Sequence, residues 1–140
     1  MKKTVSVRQW IHAPVGDCYA WLADSDHDIA PQLVFFSKWH HSSVKLRNLV
    51  TVAGWLQEET TEAKYNELLR YKLKRRVPGT KTMNGQLTFF EHCGVTRVTW
   101  TVTFDVAAGV LTSAVGLTVT AISSRLYRRV LRACAVAVEG

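Results

Sequence analysis

Cysteine is scarce and scattered: Cys18, Cys93 and Cys134 are odd in number and far apart in the chain. That fits reduced thiols in a cytoplasmic protein, and it fits neither a disulfide frame nor a zinc knuckle. No basic-then-apolar leader opens the sequence, because the apolar residues of TVSVRQWIHAP alternate with polar ones. Glycine-rich phosphate loops, a Gly-x-Ser-x-Gly elbow and a Cys–His nucleophile pattern are missing too. Nor is a metal expected. His40 and His41 are adjacent, so on a strand they point to opposite faces. The run of Asp24, Asp26 and Asp28 around His27 lacks the glycine and the distal glutamate of a calcium loop. None of these patterns implies a cofactor. With no repeat and no low-complexity linker, the 140 residues read as one domain, 1–140.

The most informative absence is of charge. From Val106 to Ser124 nineteen consecutive residues carry none, and RLYRRVLRACAVAVE follows. There Arg125, Arg128, Arg129 and Arg132 fall at i, i+3, i+4 and i+7, one stripe of a helix. Leu126, Val130, Ala133 and Ala137, with Leu131 and Cys134, take the other side. Residues 106–139 therefore read as one long helix, apolar nearly all round in its first half. Such a helix must be covered. Nineteen uncharged residues are just long enough to span a bilayer. Their several Thr and Ser, two Gly and few Leu, Ile or Phe make transfer to lipid weakly favourable. No membrane span is expected, and a curved sheet is the cover that the rest of the chain must supply.

The remaining text supplies strands. Val5, Val7, Gln9 and Ile11 alternate with Ser6, Arg8 and Trp10, a half-buried strand. Pro14 then suits a helix start and Asp17 the first turn; Cys18, Trp21 and Leu22 give helix 14–23 an apolar face. DSDHD at 24–28 ends it, and a second short helical or turn segment is expected to run to Gln32. Segments 33–40, 44–53, 55–65, 68–76, 83–92 and 96–105 read as six successive strands, with reversals at Ala53-Gly54, Pro78-Gly79 and Gly94. Connections so short make neighbours antiparallel.

VSVRQWIHAPVGDCYAWLAD resembles the opening strand, Ala-Pro and first helix of the polyketide cyclase/dehydrase and lipid-transport group of the START-like, or SRPBCC, superfamily. GWLQEETTEAKYNELLRYKLKR resembles its central strand pair, and CGVTRVTWTVTF its final strand. The resemblance implies an α+β helix-grip fold like that of the birch-pollen allergens. In it a seven-stranded curved antiparallel sheet holds a long C-terminal helix around a hydrophobic cavity, with two short helices after the first strand. The stretch LVFFSKWHHSSVKLRN departs from the family pattern at the cavity mouth, so ligand identity does not carry over.

Candidate site residues follow. Phe35, Trp39, Trp55, Tyr71, Phe89 and Trp100 are large rings on strands, suited either to a core or to the walls of a ligand pocket; Leu117 is a candidate wall from the helix. Trp55, Gln57, Glu59, Thr61, Ala63 and Tyr65 share one face of their strand. If that face is concave, Glu59 is a buried carboxylate suited to acid–base work. A one-residue slip puts Glu58 and Glu62 inside instead. The arginine stripe is a solvated face or an anion patch, and the net charge of +7 permits acidic partners without requiring them. The expected function is binding or transport of a small hydrophobic or amphipathic molecule such as a lipid or polyketide. The alternatives are a cyclase- or dehydratase-like enzyme and an interaction module with a basic helix. No specific nucleic-acid partner is expected, and the protein is read as monomer or homodimer.

Overall fold

A computed structural model describes residues 2–23, 34–39, 46–51, 54–75, 80–106 and 112–139. Strand β1 (Lys2–Ile11) is followed by helix α1 (Val15–Ala23). Then come β2 (Val34–Trp39), β3 (Leu46–Thr51), β4 (Gly54–Lys64), β5 (Leu68–Arg75), β6 (Thr80–His92), β7 (Val95–Val106) and the long helix α2 (Thr112–Glu139). The strands form one sheet in the order β1-β7-β6-β5-β4-β3-β2. Every neighbouring pair is antiparallel, and β7 closes back on β1.

Two boundaries differ from the sequence reading. Among the described residues one short helix follows β1 rather than two; the segment to Gln32 lies outside them. Val106, expected to open the long helix, instead ends β7 as a core residue, and α2 starts at Thr112. An uncharged run does not separate strand from helix where apolar residues meet end to end.

The sheet buries one face. Along β7 every second residue from Thr96 to Val106 is buried, and Val5, Val7 and Ile11 of β1 and Met83 and Leu87 of β6 join the same core. Helix α2 lies on this face along β1 and β7, with α1 on its flank. It presents Val119, Ser123, Tyr127, Val130, Leu131, Cys134 and Ala135 to the sheet. That stripe is turned relative to the sequence reading: Leu126 and Ala133 are only half-buried and Ala137 is exposed. Alanine and valine occur on both sides of the helix, so its hydrophobic pattern leaves the rotation loosely defined. Arg125, Arg128, Arg129 and Arg132 are all exposed. No helix among the described residues is long and apolar enough to cross a membrane.

Local chemistry fixes the joints. The β6–β7 hairpin turns on Cys93 and Gly94, both with positive φ (51° and 78°), the two-residue turn whose twist matches the flanking strands. The Val15 N–H at the start of α1 donates to Glu91 Oε1 at 3.1 Å, satisfying one of the helix's orphan donors. Fully buried Thr96 donates its hydroxyl to the Ala13 carbonyl at 2.8 Å, which ties the β1–α1 connection to β7. The His12 N–H donates to Glu139 Oε1 at 2.8 Å, so the end of α2 is held at the same place.

Candidate functional site

On the helix-facing side of the sheet, the central strands carry polar groups where a core would carry none. Tyr71 of β5, Trp100 of β7 and Tyr127 of α2 are all buried. Tyr127 stacks on Trp100 with centroids 4.1 Å apart and planes 12° from parallel. Trp100 Nε1–H donates to the Tyr71 hydroxyl at 2.8 Å. The Tyr71 and Tyr127 hydroxyls lie 3.4 Å apart, and Tyr127 hydrogen-bonds to buried Ser123 one turn earlier in α2. A chain of hydrogen bonds thus crosses from sheet to helix.

Glycine makes room for it. Gly85 of β6 stands opposite Tyr71 in the ladder, and the Tyr71 ring lies over it where a Cβ would project. The tyrosine is therefore laid flat across the sheet, with its hydroxyl delivered to Trp100. Close helix–strand contact runs along β1 and β7, while at β5 two long aromatic side chains span the distance between sheet and helix.

Glu58 borders this cluster. Its residue is 9% exposed, and it stands opposite Leu73 of β5 and Arg47 of β3. Glu59, the acid–base candidate from the sequence, points the other way: its carboxylate lies 3.3 Å from the half-exposed Lys72 ammonium. The slipped register is right for Glu58 and wrong for Glu62. Pairing shifts between Thr60 and Glu62, which leaves Glu62 opposite Arg70 on the outer face, 3.4 Å from its guanidinium. A bulge changes which residues face inward partway along a strand.

Burial dominates the electrostatics of the phenols. Desolvation, then the neighbouring Tyr127 and Glu58, hold Tyr71 well above the ordinary tyrosine range. Tyr127 is pushed upward by the same desolvation and by Glu58, against hydrogen bonds from Tyr71 and Ser123 that favour ionisation. Both phenols therefore stay protonated near neutrality. They can donate to a carbonyl or carboxylate, but do not serve as ready anions.

The other sequence candidates scatter. Phe89 packs with its ring centroid 5.3 Å from that of Tyr19 of α1, which also meets Tyr65. Leu117 keeps 70% of its surface exposed. Phe35 and Trp39 stand on β2 and Trp55 on β4, where register alone is described; Trp39 pairs with Arg47, which pairs with Glu58. Sequence reasoning missed Tyr127 and Ser123. Their spacing with Val119, Val130 and Cys134 was the available signal, a stripe on the side of α2 away from the arginines. No group of metal-ligating side chains occurs among the described residues.

No family model matches the sequence, and no curated protein matches it. Solved structures do. The aromatase/cyclase ZhuI from Streptomyces sp. R1128 superposes with a TM-score of 0.86 at 15% identity, over 99% of this chain and 94% of that one. The chain has the helix-grip fold of that structure. The di-domain aromatase/cyclase StfQ of the steffimycin biosynthetic pathway matches with a TM-score of 0.82 at 12% identity over 99% of this chain. The di-domain BexL of the BE-7585A pathway matches with 0.82 at 15%, also over 99%. The chain spans about half of each di-domain protein, 51% and 50%.

Proposed function

We propose that this helix-grip protein binds a small hydrophobic or amphipathic molecule between the inner face of the sheet and α2, with Tyr71, Tyr127, Ser123 and Glu58 orienting its polar end. The observation that carries the reading is the hydrogen-bonded chain from Trp100 through Tyr71 to Tyr127 inside an otherwise apolar core. Groups of this kind are costly to bury and add nothing to packing that phenylalanine would not supply. They do define a direction in which a donor can be offered to a ligand, against apolar walls that supply affinity. Trp39 stands in the same ladder row as Glu58 and belongs in this reading as a further wall position, whereas Trp55 shares the strand face of Glu59, away from the cavity, and Phe35 falls at the register shift of β2. The three free cysteines accord with a reducing, cytoplasmic setting.

A second reading has support from the same residues. Three of the structures matched are aromatase/cyclases. A carboxylate beside two protonated phenols can take a proton from a carbon next to a carbonyl while a phenol polarises that carbonyl, the demand of an aldol-type ring closure. Native mass spectrometry of the purified protein tests for a carried-over ligand, and displacement of an apolar fluorescent probe by fatty acids or aromatic polyketides tests the cavity. Tyr127→Phe should weaken binding of carbonyl-bearing ligands about 5- to 10-fold, the worth of a neutral hydrogen bond, and leave alkanes unaffected. If Glu58→Gln retains binding while abolishing turnover of a reactive polyketide mimic, the enzyme reading stands; binding without any product leaves the carrier. Failure of every apolar probe to bind sinks both.

A further inference from the structure

The opposite, outer face of the sheet carries a second arrangement, independent of the inner cluster. Trp10 of β1, Arg97 of β7 and Phe90 of β6 form one row, each opposite the next in the ladder. Trp10 and Phe90 are 47% and 51% exposed, large rings left in water on a strand face. The Arg97 guanidinium lies 5.8 Å from the Trp10 centroid and 5.1 Å from that of Phe90. Below this row the outward residues of β7 and β6 are Thr99, Thr101 and Thr103 beside Thr88, Gln86 and Asn84, and the row ends at Asp105, which stands opposite Lys2 of β1 and Thr82 of β6. Short of Asp105 they form an uncharged floor of hydroxyls and amides, part of which lines a groove of about 380 Å3. Cations border the floor on both sides: Lys2 and Arg8 on β1, Arg70 and Lys72 on β5. Arg70 and Lys72 are matched by Glu62 and Glu59, whereas Arg8 and Arg97 make no ion pair among the described residues.

We propose that this outer sheet face binds single-stranded nucleic acid without strong sequence preference, bases stacking on Trp10 and Phe90 and phosphates following Arg8 and Arg97. Unstacked bases offer flat faces to aromatic rings and mixed donor and acceptor edges to neutral hydroxyls and amides, and this face holds both within one sheet. The charge complements a polyanion: the chain carries +7. A lipid surface fits less well, because a floor of threonines and amides gives hydrocarbon nothing to cover. The double-helical groove also fits less well, since a broad sheet face presents no protruding element to enter it.

The test is fluorescence anisotropy of a labelled oligothymidylate and an oligouridylate about ten nucleotides long, within the range one small domain covers. Trp10→Ala and Phe90→Ala should each weaken binding roughly 10-fold or more. Arg8→Gln should lower the slope of log affinity against log salt by about 0.7. Arg128→Gln with Arg129→Gln, on α2, should leave affinity unchanged. Circular dichroism reports on folding. Should either ring variant misfold, the Arg8→Gln salt slope decides by itself, since that side chain is exposed. The proposal is overturned if no oligonucleotide binds at low salt, or if binding follows the α2 arginines and ignores Trp10 and Phe90. It is equally overturned if the face binds anionic vesicles and not oligonucleotides. Binding of an apolar probe to the inner site should be indifferent to all these variants, so the two readings fail separately.

Discussion

Gly85→Ala reverses the usual expectation for a strand glycine. In a strand interior alanine is ordinarily better than glycine by about 0.5–1 kcal/mol, through backbone entropy. Gly85 has no left-handed φ to protect, since Gly94 is the glycine for which a positive φ is found among the described residues. Space is the obstacle. A Cβ at position 85 falls inside van der Waals contact of the Tyr71 Cζ and hydroxyl oxygen, and 2.6 Å from its Cε1. The ring cannot simply swing aside, because it is 8% exposed and its hydroxyl accepts from Trp100 at 2.8 Å. Overpacking costs about 1–3 kcal/mol. Displacing the ring adds about 1–3 kcal/mol for the buried Trp100 N–H left without its acceptor. Set against the entropy gain, the net loss is roughly 1–5 kcal/mol, up to a large part of the ~5–15 kcal/mol that holds a domain folded. Urea denaturation followed by far-UV circular dichroism measures it, and a weakened near-UV signal should report the disturbed Trp100–Tyr127 stack. In a Tyr71→Ala background the obstacle is gone and Gly85→Ala should be neutral or stabilising. Equal stability of Gly85→Ala and the parent, or an undiminished cost in the Tyr71→Ala background, would refute the packing assigned to Tyr71.

Two further predictions concern the core. Tyr71 and Tyr127 are held above the ordinary tyrosine value, so their stabilisation is complete below about pH 10, where the unfolded chain ionises. It is lost as pH climbs beyond that. Absorbance at 295 nm should show these phenols ionising only together with loss of the far-UV signal; four tyrosines titrating independently with the fold intact would contradict their burial. Thr96→Val keeps the shape but leaves the Ala13 carbonyl without its 2.8 Å donor. A loss of about 1–3 kcal/mol is expected, with faster hydrogen exchange in α1; an unchanged denaturation midpoint would mean that the β1–α1 joint does not depend on this bond.

What the sequence determined by itself is the set of elements with one wet and one dry face. Val98, Trp100, Val102 and Phe104 alternate with Arg97, Thr99, Thr101 and Thr103, and a period of two admits one assignment of inside and outside. The same held for Val5, Val7 and Ile11, and the arginines of α2 stood on the water side by elimination. Where both faces of an element are alike, pattern carried no such information. GWLQEETTEAK has carboxylates on either side and a bulge within it, so only the ladder to β5 decided that Glu58 turns inward and Glu59 meets Lys72. On α2, Ala, Val and Leu occur all round, so only contact with β1 and β7 settled its rotation and brought Tyr127 onto Trp100. The inner cluster joins residues 29 and 56 positions apart in the chain. Their hydrogen bonds depend on distances that exist only once the sheet has closed β7 onto β1 and laid α2 across it.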